Sequence, residues 1–269
     1  MNLIASDIQA DVTSDGIARI SFNRPEVANA VRPQTMEQLC HAIDRANADR
    51  SVRAIVIGGI GRNFAAGADF GFLEDLLTTD SAAVNDSLYT WFKGATERLW
   101  KSPKPTVAAV RGAAITVGCE IALCCDARIA APSSRFGENW LQLGLMPPLG
   151  GAMLLPRIVG LTHAKRMILE AEIVDGERAL AIGLVDELVA EDDVAARAED
   201  RARAMAALPA AAFAAAKAAL HRGLQSSMEH EWAANVMNQA MLIASADFRA
   251  QVEMRLKANS ARKPQPVSE

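Results

Sequence analysis

The sequence predicts an α/β fold, a parallel sheet wrapped by helices and followed by a helical C-terminal region, and three observations lead there. Residues 16–22, GIARISF, alternate and are rich in β-formers, while residues 33–48 set Met36, Leu39, Ile43 and Ala46 at helical spacing. VRAIVI at 52–57 then reads as a buried strand, and a strand, a helix and a strand in such close succession make a crossover unit, which joins parallel neighbours. From Glu191 onward the texture changes to alanine-rich segments with strong helix formers and few strand formers.

Between these landmarks the pattern repeats. A helix is predicted near residues 82–100, a strand at Thr106–Val110, a helix at 118–124 and a short strand at Ala127–Ala130. The tail, ARAEDRARAMAALPAAAFAAAKAALHRGL, is broken at Leu208-Pro209 and around Gly223. Its small residues build a poor core alone, so it is expected to pack on the main body or on another subunit. This divides the chain into an α/β core over residues 1–195 and a helical oligomerisation region over 196–269, ending in the frayed ARKPQPVSE.

Composition removes several function classes. A formal charge of −4 across 269 residues offers no field to hold a polyanion, so a nucleic-acid partner is not expected. The opening MNLIASDIQADVTSDG has no basic segment leading into an apolar run, and no stretch reaches about 18 uninterrupted apolar residues. A cytoplasmic location without a membrane partner is the expectation. Cys40, Cys119, Cys124 and Cys125 show neither CxxC pairing nor a histidine cluster, so they read as buried free thiols rather than a metal site or a disulfide framework.

The stretch GAAITVGCEIALCCD, Gly112 to Asp126, sets one acid, Glu120, among small and apolar residues. A carboxylate in a first helical turn is favoured by the dipole, which allows a structural reading. Apolar neighbours argue for burial, and a buried carboxylate is costly enough that catalysis is the other reading. RNFAAGADF, Arg62 to Phe70, follows the strand VRAIVIGG; it is either a plain glycine turn or a set of N–H donors for a developing negative oxygen. Tyr89 and Lys93 match the Tyr-x-x-x-Lys spacing of short-chain reductases. The chain before residue 58 contains only Gly16, however, so the phosphate-binding turn such enzymes need is missing. His41, His163, His221 and His230 have no partner at motif spacing and are read as structural or exposed.

Taken in order, NRPEVANAV (23–31), AIVIGGIGRNFAAGADF (54–70), KPTVAAVRGAAITVGCEIALCCDARIAA (104–131), FGENWLQLGLMPPLGG (136–151) and LPRIVG (155–160) resemble the crotonase, or enoyl-CoA hydratase/isomerase, family. The resemblance spans residues 5–258 and implies a spiral of ββα repeats with a helical C-terminal region that assembles homotrimers or homohexamers. It implies an acyl-CoA thioester as substrate, with coenzyme A arriving as part of that substrate and no permanently bound cofactor. It also implies two backbone N–H groups for the enolate oxygen, at Ala68 and Val117, the family's Gly-Gly-Gly-x-Glu being read here as Thr116-Val117-Gly118-Cys119-Glu120.

Hydratases of the family carry a second glutamate twenty residues after the first, and that place is Trp140 here. Its indole would fill the space where hydratases hold water, with one N–H as a polar handle. Glu138 stands two positions upstream, and a two-residue shift carries a side chain several ångströms, so it takes over only where local backbone brings it near. The aspartate used by some isomerases, and by the family's dehalogenases, would fall at Pro148. The resemblance therefore leaves three readings: a hydratase with altered acid–base chemistry, a one-base isomerase built on Glu120, or a non-catalytic acyl-CoA binding protein. For coenzyme A it points to Val27, Ala28 and Ala30, to the turn Ala66, Gly67, Ala68, Asp69 and Phe70, and to Lys257 beside Arg255 and Ala258 on the last helix.

Overall fold

The computed structural model describes residues 6–80, 82–83, 88–224 and 226–261. Its main sheet has the order β1-β2-β3-β4-β6-β9: β1 (Ile8–Val12), β2 (Ile17–Phe22), β3 (Ala54–Gly59), β4 (Thr106–Val110), β6 (Ala127–Ala130) and β9 (Glu187–Leu188). β1 runs antiparallel to β2, and every later neighbour is parallel. A second sheet joins β5 (Ala113–Ile115), β7 (Arg135–Gly137) and β8 (Ile173–Asp175).

The two sheets are laid down in step. β3 is followed by a single-residue bridge from Ala65 to Ala114 of β5, β4 is followed by β5, and β6 by β7. Each turn of the chain thus adds one strand to the large sheet and one short pairing to the small one, then a helix: α2 (Phe70–Leu76), α4 (Val117–Leu123) and α5 (Gly151–Leu169). This is the spiral of ββα repeats that the resemblance implies.

Period-two alternation explains the packing. Ile55, Ile57, Ala108 and Val110 face a core shared with α1 (Pro33–Ala48) and α3 (Gly94–Trp100), which supply Met36, Leu39, Ile43, Ala95 and Leu99. Ala54, Val56, Val107, Ala109 and Ile129 face the opposite way, under Val194, Ala198 and Ala202 of α7 (Val194–Ala206). Three small residues at i, i+4 and i+8 let α7 lie close on the sheet. Burial on both faces is what makes Ala54 to Ile57 of VRAIVI an unbroken apolar run.

In the 82–100 region, residues 82–83 are helical, Leu88–Lys93 form a wide π-type turn, and α3 follows; residues 84–87 lie outside the described residues. Lys93 pairs there with Glu97 at 2.9 Å. α6 (Gly176–Ala181) links β8 to β9. The chain divides into two compact units, Met1–Ala206 and Ala207–Glu269. The second holds α8 (Ala210–Gly223), α9 (Met228–Ile243) and α10 (Ala246–Ala261), with breaks at Leu208-Pro209 and after Gly223 as expected. All four cysteines are buried and free. Among the described residues no group of three metal-ligating side chains occurs, and no single helix is long and apolar enough to cross a membrane.

Candidate active site

Two segments of the first unit are laced together by backbone. The Phe64 N–H donates to the Arg111 carbonyl at 2.8 Å, Ala65 N–H to Ala113 at 2.9 Å, and Ile115 N–H returns to Ala65 at 3.0 Å. The approach is close enough that glycine is required. A Cβ on Gly67, which sits at φ +106°, would lie 2.7 Å from Thr116 Oγ1, and one on Gly118 would run into the Ala65 carbonyl. The turn before α4 is tight: Thr116 takes φ 48° and ψ −110°, a region costly for a side chain with a branched Cβ.

This lacing presents two donors. Ala68 bridges Val31, but the bridge uses the Gly67 carbonyl (2.8 Å from Val31 N) and the Asp69 N–H (2.8 Å to Val31 O). The Ala68 N–H itself has no acceptor among the described residues. Val117 opens α4, so its N–H has no intrahelical partner, and it too has no acceptor among the described residues. Valine is accommodated at 117 because it lies in ordinary helical backbone, the unusual angles falling on Thr116 instead.

Glu120 lies one helical turn beyond Val117 and is wholly buried. Its Oε1 accepts N–H bonds from Leu149 at 2.9 Å and Gly151 at 2.7 Å, so the acid spans from α4 to the N-terminus of α5. Gly151 is there for closeness: a Cβ would lie 2.8 Å from Glu120 Oε1. Glu120 Oε2 has no partner among the described residues. Burial pushes its proton affinity up, against the two N–H bonds, to a pKa of about 7. An acid near neutrality is suited to giving and taking protons.

Glu138, just after β7, is also wholly buried. The buried Trp140 donates its indole N–H to Glu138 Oε2 at 2.9 Å, while Oε1 has no partner among the described residues. The Cys119 thiol lies beside it. Burial, then the charge of Glu120, push the Glu138 carboxyl well above the glutamate range, opposed by Cys119 and Trp140. Two carboxyls separated by eighteen positions of chain thus feel one another in a dry setting, and Glu138 caps the short turn Asn139–Leu143 at φ −112° and ψ 44° rather than continuing the strand.

The segment expected to meet coenzyme A is also assembled. Ala28 and Asn29 adopt left-handed backbone, the Ala66 N–H donates to the Ala28 carbonyl at 3.1 Å, and Arg24 reaches both the Ala30 carbonyl (2.7 Å) and Asp69 (2.9 Å). Val27, Ala28, Ala30, Ala66, Gly67, Ala68 and Asp69 are thereby brought together, with Phe70 next to them and largely exposed. Burial raises the Asp69 carboxyl, but the Arg24 bond and the Phe72 and Gly71 amides outweigh it and hold it below the usual range. Lys257 is exposed on α10 in the second unit, with Arg255 and Ala258 on the same helix. Of Leu73, Leu76 and Leu77, the first two are half-buried and Leu77 is exposed.

Four contributors escaped the sequence reading: the Leu149 and Gly151 amides, the Cys119 thiol and Arg24. PPLGG stands in the quoted motif, so the glycine was visible, but not that it makes room for an acid on another helix.

Comparison with known proteins agrees with this architecture. The enoyl-CoA hydratase/isomerase family model matches residues 12–263. A protein of Rhodobacter capsulatus named as a probable enoyl-CoA hydratase is 39% identical over 248 residues, 91% of this chain and 93% of that protein. The short-chain-enoyl-CoA hydratase of Clostridium acetobutylicum is 33% identical over 214 residues, 79% of this chain and 80% of that one. The solved structure of an enoyl-CoA hydratase from Bacillus anthracis superposes with a TM-score of 0.85 at 26% identity, covering 96% of this chain and 98% of the other. By its sequence and by the spiral of ββα repeats, the chain belongs to the enoyl-CoA hydratase/isomerase family and has the crotonase fold.

Proposed function

We propose that this protein is an acyl-CoA enzyme that holds a thioester's developing enolate oxygen with the Ala68 and Val117 N–H groups and moves a proton with Glu120. One observation carries the reading: two backbone donors without acceptors among the described residues lie on segments laced together by backbone bonds, and one of them, Val117, stands one helical turn from a buried acid with a free oxygen. Preorganised donors of this kind need no rearrangement as charge develops, and each is worth about 3 to 4 kcal/mol in a dry site. Names of the relatives, enoyl-CoA hydratases among them, support the same substrate class.

In the one-base version Glu120 takes a proton from the carbon next to the thioester carbonyl, the electron pair moves onto the oxygen held by the two amides, and the same proton returns further along the conjugated chain. In hydration the oxygen of water bonds to the distal alkene carbon, its proton passes to an acid–base group, and a proton is delivered next to the carbonyl. Coenzyme A enters with the substrate along the 27–30 and 66–70 segments. Leu220, Val236, Met237 and Met241 are exposed on the second unit and suit an apolar surface covered by further copies of the chain in a homotrimer or homohexamer.

The test is a panel of enoyl-CoA thioesters assayed for turnover and, by calorimetry, for binding. Turnover that falls by about 10²- to 10⁴-fold in Glu120→Gln while binding persists is the expected result. Binding without turnover, indifferent to that substitution, would instead establish the non-catalytic acyl-CoA binder, and absence of binding would remove both.

A further inference from the structure

The family's second glutamate is tryptophan here, and that tryptophan is hydrogen-bonded to a different buried acid. We infer that Glu138 is the buried acid that keeps its proton at rest while Glu120 is the one that carries charge, and that Trp140 is the positioning residue that holds Glu138 in the site through its indole N–H. This rests on the acyl-CoA reading for its use in catalysis, though not for its test.

The donors decide where the charge lies. Two carboxylates in one water-free setting cannot both be ionised at modest cost. Glu120 Oε1 receives two backbone amides, at 2.9 and 2.7 Å, the second from the first residue of α5, where the helix end favours negative charge. Glu138 Oε2 receives one indole N–H at 2.9 Å, with a weak thiol donor, Cys119, beside it. The better solvated acid takes the charge, and the other keeps the proton.

The remaining surroundings do not reverse this. Cys119 of α4 and Cys124, which caps its C-terminus, are themselves neutral, their thiols pushed well up by burial. Arg128 of β6 acts on those thiols, but its guanidinium is committed to the Leu184 carbonyl at 2.6 Å, the Cys125 carbonyl at 2.9 Å and Asp186 at 3.4 Å. Glu138 Oε1 and Glu120 Oε2 both lack a hydrogen-bond partner among the described residues, and the one donor near Glu138 besides the indole is the weak Cys119 thiol. The result is one acid and one base, both buried and within reach of each other's charge, the pairing a site needs to deliver one proton while accepting another. It is reached from a position two residues before the expected one.

Infrared spectroscopy of the purified protein, without any thioester, tests this. The protein should show the carbonyl stretch of a buried carboxylic acid that persists above neutral pH, and Glu138→Gln should remove that part of the band, leaving only the part that fades as Glu120 titrates near 7. In Glu120→Gln the neighbouring charge is gone, so the band should disappear at lower pH than in the unaltered protein. Trp140→Phe keeps the ring packing but removes a donor to the ionised form, so the band should persist about one pH unit higher. In the unaltered protein the indole N–H proton resonance of Trp140 should titrate with the same midpoint, which tests the contact even where Trp140→Phe does not fold. No acid band above neutral pH, a band indifferent to Glu138→Gln, or an indole resonance that does not follow it would overturn the inference. Failure of thioester turnover would leave these readouts untouched.

Discussion

A single methylene's worth of space separates a working site from a blocked one at Gly151. A Cβ there would stand 2.8 Å from Glu120 Oε1 and 3.0 Å from Glu120 Cγ, and Glu120 is buried on every side, so neither partner can swing away. Gly151→Ala should therefore lower the unfolding free energy by about 1 to 3 kcal/mol, the usual cost of overpacking. Gly223→Ala is the control, since nothing lies within 4 Å of the added carbon and the backbone there is helical; it should hold stability or raise it by up to about 1 kcal/mol. Urea unfolding of both variants checks this, and equal stabilities would mean that the Glu120–Gly151 contact is slack. The sequence disclosed half of this arrangement. Apolar neighbours on either side of Glu120 announced its burial, because burial is a property of the local run. Its two donors lie 29 and 31 residues away and are backbone groups with no side-chain signature, so nothing local could announce them.

Between elements, the decisive contact is where α4 begins against the 64–68 segment. Gly118→Ala would drive a carbon into the Ala65 carbonyl, 3.0 Å from the Ala65 side chain as well, and both are backbone-anchored. The separation of the Ala68 and Val117 amides should widen, so turnover of an enoyl-CoA substrate is expected to fall by about 10²-fold or more, with the loss in kcat rather than in KM. A parallel rise in KM with kcat unchanged would show that the clamp serves binding alone. The elements making this clamp were unequally visible. β2, α1, β3, β4 and β6 each have enough residues to show a period, and they lie where the sequence places them. β5, β7 and β8 have three residues each, too few for alternation to register. The small sheet, and with it the register that brings Ala65 to β5, was legible only through resemblance. β1 escaped because four of its five residues are exposed, so its pattern gives no core face. Glu138 was named from the sequence only on the condition that local backbone bring it near, because a residue count cannot show that the chain leaves the strand there for the turn Asn139–Leu143.

Across the whole first unit, burying two acids above their ordinary proton affinities fixes how stability depends on pH. Glu120 rises from an unfolded value of about 4.3 to about 7, chiefly through burial. Between those values the folded protein holds a proton that the unfolded chain has released, so the contribution is fully present below about pH 4.3 and is lost as pH climbs through 7. Its size is about 4 kcal/mol, and Glu138 acts with the same sign. Asp7 behaves oppositely: burial would raise it, but the bonds from Arg32, at 2.9 Å to each oxygen, and from Thr35 at 2.6 Å hold it low. Its contribution is present above the unfolded aspartate value and fades only as the solution becomes strongly acidic. Glu97, brought to about 2 by Lys101 and Lys93, follows the same course. The two groups of acids leave a stability maximum on the mildly acidic side of neutrality. The urea midpoint should accordingly be higher at pH 5 than at pH 8, and Glu120→Gln should narrow that difference, since an amide carries no charge to be desolvated as pH rises. A midpoint that climbs from pH 5 to pH 8 would mean that Glu120 and Glu138 ionise freely in the folded protein, and that water reaches both.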